Sequence, residues 1–136
     1  MTKTSCLCGD IEFQVTGSFG DVRYCHCSQC RIVTGSAFSA NARIDSSCWR
    51  LSKGEALVTE YEQSPGIFRA FCGKCGSPLY ARLDSEPDFI RVRLGSYDNP
   101  AGVKVIGNVW VSSKAPWYRI PESEQCFAEE STDKQY

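Results

Sequence analysis

Apolar and polar positions alternate with a period of two along most of this chain. Ile11, Phe13 and Val15 alternate with Asp10, Glu12 and Gln14, the pattern of a strand with one buried face. Similar runs occur at 38–44, 56–62, 67–71, 79–83, 89–94 and 103–111. Turn residues separate them: Thr16-Gly17-Ser18, Ser64-Pro65-Gly66, Ser85-Glu86-Pro87-Asp88 and Asp98-Asn99-Pro100-Ala101-Gly102. No window offers a long face with a 3.6-residue period. The best helical segment is a single turn after Cys27, through Arg31. The pattern predicts an all-β or nearly all-β domain over residues 1–121. A polar, acidic tail follows over 122–136 and is expected to be loosely held.

Composition narrows the function classes. At 136 residues the chain suits one domain, and 42% apolar with 12% aromatic content fits a packed core. A net charge of −1 with interspersed signs argues against a broad nucleic-acid surface. No run approaches the roughly 20 apolar residues of a membrane span, and the N-terminus lacks the apolar stretch of a secretory signal. These features predict a soluble cytoplasmic protein. Exposed sheet edges make a homodimer an expectation as well.

The nine cysteines change the picture. An odd count in clusters suits metal ligation better than disulfides. Cys6 and Cys8 form a C-x-C pair, and Cys72 and Cys75 a C-x-x-C-G knuckle. Together they predict one four-cysteine structural zinc site. In an extended segment Cys6 and Cys8 would face one metal while Leu7 points away. Cys25, Cys27 and Cys30 form C-x-C-x-x-C and offer three corners of a second zinc site. By the same alternation His26 is expected to point elsewhere, to pack, to hydrogen-bond behind the ligands or to meet solvent, with ligation of the same metal as the lesser alternative. The fourth position is either open, as in a catalytic zinc, or filled by Cys48, Cys126 or an acidic side chain.

An open site of this charge has a definite chemistry. Three thiolates leave zinc with a formal net charge of −1, poor for activating water but able to hold an incoming thiol as thiolate. Such a centre delivers sulfur to a small electrophile such as an aldehyde. Arg31, beside the last ligand, and Lys114 are candidates to hold a substrate carboxylate. Trp110, Trp117 and Tyr118 are either pocket lining or ordinary packing. Cys48 reads as a small buried hydrophobe and Cys126 as incidental.

Three segments, Cys6-Leu7-Cys8-Gly9, Cys25-His26-Cys27-Ser28-Gln29-Cys30-Arg31 and Phe71-Cys72-Gly73-Lys74-Cys75-Gly76-Ser77-Pro78-Leu79, carry a further implication. In order and spacing they resemble the signature of the glutathione-dependent formaldehyde-activating enzyme family, which also includes centromere protein V. Arg91–Ser96 and Val109–Tyr118 are similar to its later strand and closing motif. The resemblance implies an Mss4-like fold of twisted antiparallel sheets stapled by zinc. It implies a structural zinc on Cys6, Cys8, Cys72 and Cys75 and a more labile zinc on Cys25, Cys27 and Cys30. The implied reaction joins glutathione and formaldehyde, a carbon–sulfur lyase activity. A zinc-stapled protein-binding module and a zinc- or redox-responsive protein are the rival readings. The family motif commonly carries a histidine where Asn108 stands, and His26 is the sole histidine here.

Overall fold

The computed structural model describes residues 1–129. Among these residues ten strands and one short α-helix make up two sheets and their connection. The strands are β1 (Thr2–Ser5), β2 (Glu12–Val15), β3 (Gly20–Cys25), β4 (Ser39–Asp45) and β5 (Trp49–Lys53). They continue with β6 (Val58–Ser64), β7 (Ile67–Cys72), β8 (Pro78–Leu83), β9 (Phe89–Arg93) and β10 (Val103–Val109). Helix α1 (Ser28–Thr34) joins β3 to β4. Strands β1-β2-β5 form a small antiparallel sheet, and β10-β3-β4-β9-β8-β7-β6 a larger one.

The mainly-β expectation holds, with one difference in direction. Every ladder is antiparallel except β10 with β3, which run parallel with Val109 beside Cys25. A parallel pair needs a long crossover, here the intervening 77 residues between Cys25 and Val103. Three strands escaped the sequence reading: β1, β3 and β5. In β3, the buried Arg23 sits where an alternating pattern would show an apolar or a solvent-facing polar residue.

Alternation gives the large sheet two unlike faces. Val22, Ala42, Val92, Tyr80 and Ala70 point one way, into a core shared with Ile11, Phe13 and Val15 of the small sheet. Phe13, Phe19 and Tyr97 stack edge to face within it, the arrangement aromatic quadrupoles favour. The opposite face carries Cys25, Arg23, Asn41, Arg93 and Arg91.

The expected loose tail is corrected over its described part. Asn108 N donates to Gln125 O at 2.8 Å, Phe127 N to Asn108 O at 2.8 Å, and Val111 N to Phe127 O at 3.1 Å. Trp110 and Ser112 amides bond Glu129 and Ala128 carbonyls. These bonds cap the outer edge of β10, which would otherwise leave donors and acceptors unused. Polar composition did not reveal this, because main-chain pairing makes little demand on side chains. The rest of the tail lies outside the described residues.

Candidate metal centres

The first cluster joins two turns from distant parts of the chain. The Sγ atoms of Cys6, Cys8, Cys72 and Cys75 all lie within 4.8 Å of one another. Cys6 to Cys8 is 3.5 Å and Cys8 to Cys72 is 3.9 Å. Four thiolates around a zinc at 2.3 Å would stand about 3.8 Å apart, so the donor set and spacing fit such an ion. The N-terminal half is a turn, not the expected extended segment. Gly9 N donates to Cys6 O, and Gly9 adopts φ 82°. The C-terminal half repeats it, with Gly76 N on Cys72 O and φ 77°. Glycine is the residue that takes this left-handed conformation without a Cβ penalty. Leu7 is exposed, as the spacing predicts.

Backbone amides already point at two of these sulfurs. Ile11 N and Cys75 N donate to the sulfurs of Cys6 and Cys72, each at 3.4 Å. The Cys75 thiol is brought down to about 5, first by the Ser77 hydroxyl and then by backbone amides.

The second cluster is set by the end of β3 and the start of α1. Cys25 closes the strand, Cys27 is the helix N-cap, and Cys30 lies in the first turn. Cys27 Sγ accepts from Cys30 N at 3.4 Å. The three sulfurs lie within 4.8 Å of one another, and among the described residues no fourth Cys, His, Asp or Glu joins them. Neither Cys48, packed against the core, nor the exposed Cys126 does so. The Cys27 thiol is driven down to about 2 by hydrogen bonds from Cys25 and Cys30, followed by backbone amides, whereas the Cys25 thiol is pushed up by Cys27 and Cys30 and then by burial. Three sulfurs this close together form a donor set suited to a soft cation.

Apolar walls enclose this centre. Cys25 and Cys30 are buried with Val109, and Cys27, Trp110 and Phe127 pack against them. Trp110 is held at φ 56°, the single described non-glycine residue with positive φ. Strain of this kind persists where surroundings over-determine it, and here Val109 and the C-terminal segment fix both sides. Trp110 therefore lines the centre, Tyr118 lies against His26 and Phe38, and Trp117 is exposed. Nothing in the sequence marked Phe127, which reaches the centre through main-chain pairing.

His26 points away from the sulfurs and is fully buried. Its Nε2 lies 2.7 Å from Asn108 Oδ1. The Asn108 amide group is oriented by 3.3 Å bonds from Nδ2 to Glu124 Oε1 and Gln125 O, so its oxygen accepts from the imidazole. Asn108 thus serves as the hydrogen-bond partner of the histidine that stands between Cys25 and Cys27.

The expected anion-binding residues behave differently from one another. Arg31 turns its Nε into a buried position with no hydrogen-bond partner. Lys114 donates to the carbonyls of Ala115 at 2.9 Å and Tyr118 at 2.6 Å, closing its own loop. A cavity of about 300 Å³ opens beside the helix, lined by Thr34, Phe38, Ser39, Arg93 and Ser96 among others. Thr34 Oγ1 bonds Cys30 O at 2.7 Å, linking that cavity to the ligand helix. A larger one, about 540 Å³, lies along β1 and β2 and includes none of the cysteines.

Comparison with known proteins agrees with this architecture. A family model described as glutathione-dependent formaldehyde-activating enzyme matches residues 1–113. A crystal structure of a Rhodobacter sphaeroides protein is similar at 26% identity and a TM-score of 0.61, covering 75% of this chain and 99% of that one. No curated protein matches the chain. No helix among the described residues is long and apolar enough to cross a membrane.

Proposed function

Because the chain belongs to the glutathione-dependent formaldehyde-activating enzyme family, we propose that it forms or cleaves adducts of a glutathione-like thiol with a formaldehyde-like aldehyde at Cys25, Cys27 and Cys30. The observation that carries this reading is a three-thiol cluster without a fourth described ligand, next to a complete four-thiol cluster. Cys6, Cys8, Cys72 and Cys75 would hold a structural zinc, and Cys25, Cys27 and Cys30 a second. Zinc bound there would supply a position at which the thiol is held as thiolate.

The residues around the centre serve the addition in separate ways. The thiol sulfur bonds to the carbonyl carbon, the carbonyl π pair moves to oxygen, and the proton lost by sulfur ends on that oxygen. Cleavage is the reverse. Val109, Trp110 and Phe127 shield Cys25 and Cys30 from water while Cys27 stays partly exposed, and the shielding strengthens local electrostatics.

Zinc content per chain, with and without excess glutathione, tests the proposal on protein purified under reducing conditions. Two zincs are expected, one perturbed by glutathione, together with faster hemithioacetal formation followed by NMR. Turnover indifferent to glutathione at full zinc loading refutes it.

A further inference from the structure

The face of the large sheet that carries Cys25 is lined by arginines. Strand register places Arg69 of β7 opposite Ala81, Ala81 opposite Arg91, and Arg91 opposite Arg43. The neighbouring rung runs from Arg93 through Asn41 to Arg23, and the next pairs Ser39 with Cys25. Residues two apart on a strand share a face, so five arginines and a cysteine of the second centre lie on one surface.

Most of these cations are engaged within the fold. Arg43 and Arg91 bind the Glu86 carboxylate at 3.1 and 2.6 Å. Arg93 donates to Ser39 Oγ at 2.9 Å and to Asn41 Oδ1. Arg69 differs. Its Nε donates to Gln63 Oε1, and Gln63 Nε2 donates to Gln29 Oε1 at 2.8 Å. Gln29 lies between ligands Cys27 and Cys30 on α1. Four strand steps separate β7 from β3, about 19 Å in a flat sheet. The glutamine bridge shows that the sheet curls until β6 and β7 meet the ligand helix again. The bridge sets Arg69 beside the helix that carries Cys27 and Cys30.

We propose that Arg69, held by the Gln63–Gln29 bridge, receives a carboxylate of the thiol bound at the three-cysteine centre. The inference rests on the thiol-binding role proposed above and names the residue that selects a carboxylate-bearing thiol over a neutral one. Using Nε for Gln63 fixes the guanidinium plane and leaves both Nη groups of Arg69 without described partners. That end of the fork suits a carboxylate. Arg31, adjacent in sequence to a ligand, instead buries its Nε.

A minimal pair of thiols tests this on the zinc-loaded protein by calorimetry: 3-mercaptopropionate, with a carboxylate, and 2-mercaptoethanol, with a hydroxyl. Wild type is expected to prefer the former by about ten- to a hundredfold, the range for a charge-assisted hydrogen bond. Arg69→Gln brings the ratio near one without changing affinity for 2-mercaptoethanol, and Arg69→Lys keeps part of it. Gln63→Met loosens the guanidinium without removing it and gives a smaller loss, so the inference stands testable should Arg69→Gln fold poorly. A preference unchanged in Arg69→Gln, or abolished by Arg31→Gln instead, overturns the assignment. If neither thiol binds wild type, the thiol-site reading falls and the role of Arg69 falls with it. If both bind equally, only the role of Arg69 is refuted.

Discussion

Replacing Asn108 by leucine isolates the hydrogen bond between two fully buried side chains. Leucine is close to asparagine in size, so the substitution leaves little cavity. It removes the acceptor 2.7 Å from His26 Nε2. The imidazole Nδ1 is already buried without a partner, so in the variant neither ring nitrogen would be satisfied. Stranding a buried donor costs about 1–3 kcal/mol, and the two 3.3 Å bonds from Asn108 Nδ2 add little. With a urea dependence of about 2 kcal/mol per molar for a protein this small, the midpoint should fall by roughly 1 M. The measurement is equilibrium urea unfolding at neutral pH with zinc saturating. Replacing both residues, His26→Leu with Asn108→Leu, removes donor and acceptor together and should recover much of the loss, a coupling of about 1–2 kcal/mol. Nitrogen NMR of wild type should show the ring proton on Nε2. An Asn108→Leu midpoint within about 0.2 M of wild type, or losses that simply add in the double variant, would refute the reasoning.

Two further outcomes follow from other parts of the fold. Cys72→Ser breaks the four-thiol cluster and removes the clamp between the N-terminal turn and β7. Structural zinc contributes about 10 kcal/mol in small domains, so the variant should lose one zinc and its cooperative thermal transition, read by metal analysis and circular dichroism. Arg91, and then Arg43, hold the Glu86 carboxyl below its ordinary 4.5. Stability from Glu86 is therefore present above about pH 4.5 and lost as pH falls through the lower folded value. Glu86→Gln should lower the neutral-pH melting temperature and flatten its decline on acidification; an unchanged acid limb would count against this.

The cysteine clusters were legible because thiol spacing is itself geometric: a C-x-C and a C-x-x-C set sulfurs within reach before any tertiary contact forms. Most strands were legible for a similar reason, since Phe13 and Val15 or Ala70 and Cys72 declare a buried face by alternation. Arg23 hid β3, because a buried guanidinium on the second face of a sheet breaks the apolar pattern that marks an interior strand. The Gln29–Gln63–Arg69 bridge was invisible for another reason. It depends on the curl of seven strands, and neither glutamine carries a signal of its own. The edge cover by Gln125–Glu129 was missed because backbone pairing leaves no trace in side-chain polarity. Arg91-Val92-Arg93, by contrast, held a readable clue: an arginine alternation around a buried valine that marks a charged inner face.

The chain order of the two centres has a consequence for biogenesis. The four-thiol cluster draws its ligands from residues 6–75, so metal can staple the emerging chain before β8, β9 and β10 have left the ribosome. The three thiols of the second centre are made earlier still, yet their walls are Val109, Trp110 and Phe127. During synthesis these thiols stay open to solvent, oxidant and competing metals until the C-terminal segment arrives. The segment that carries Phe127 thus decides when the centre is sealed, and a chain clipped just before it would keep the core strands with the three thiols uncovered on that side.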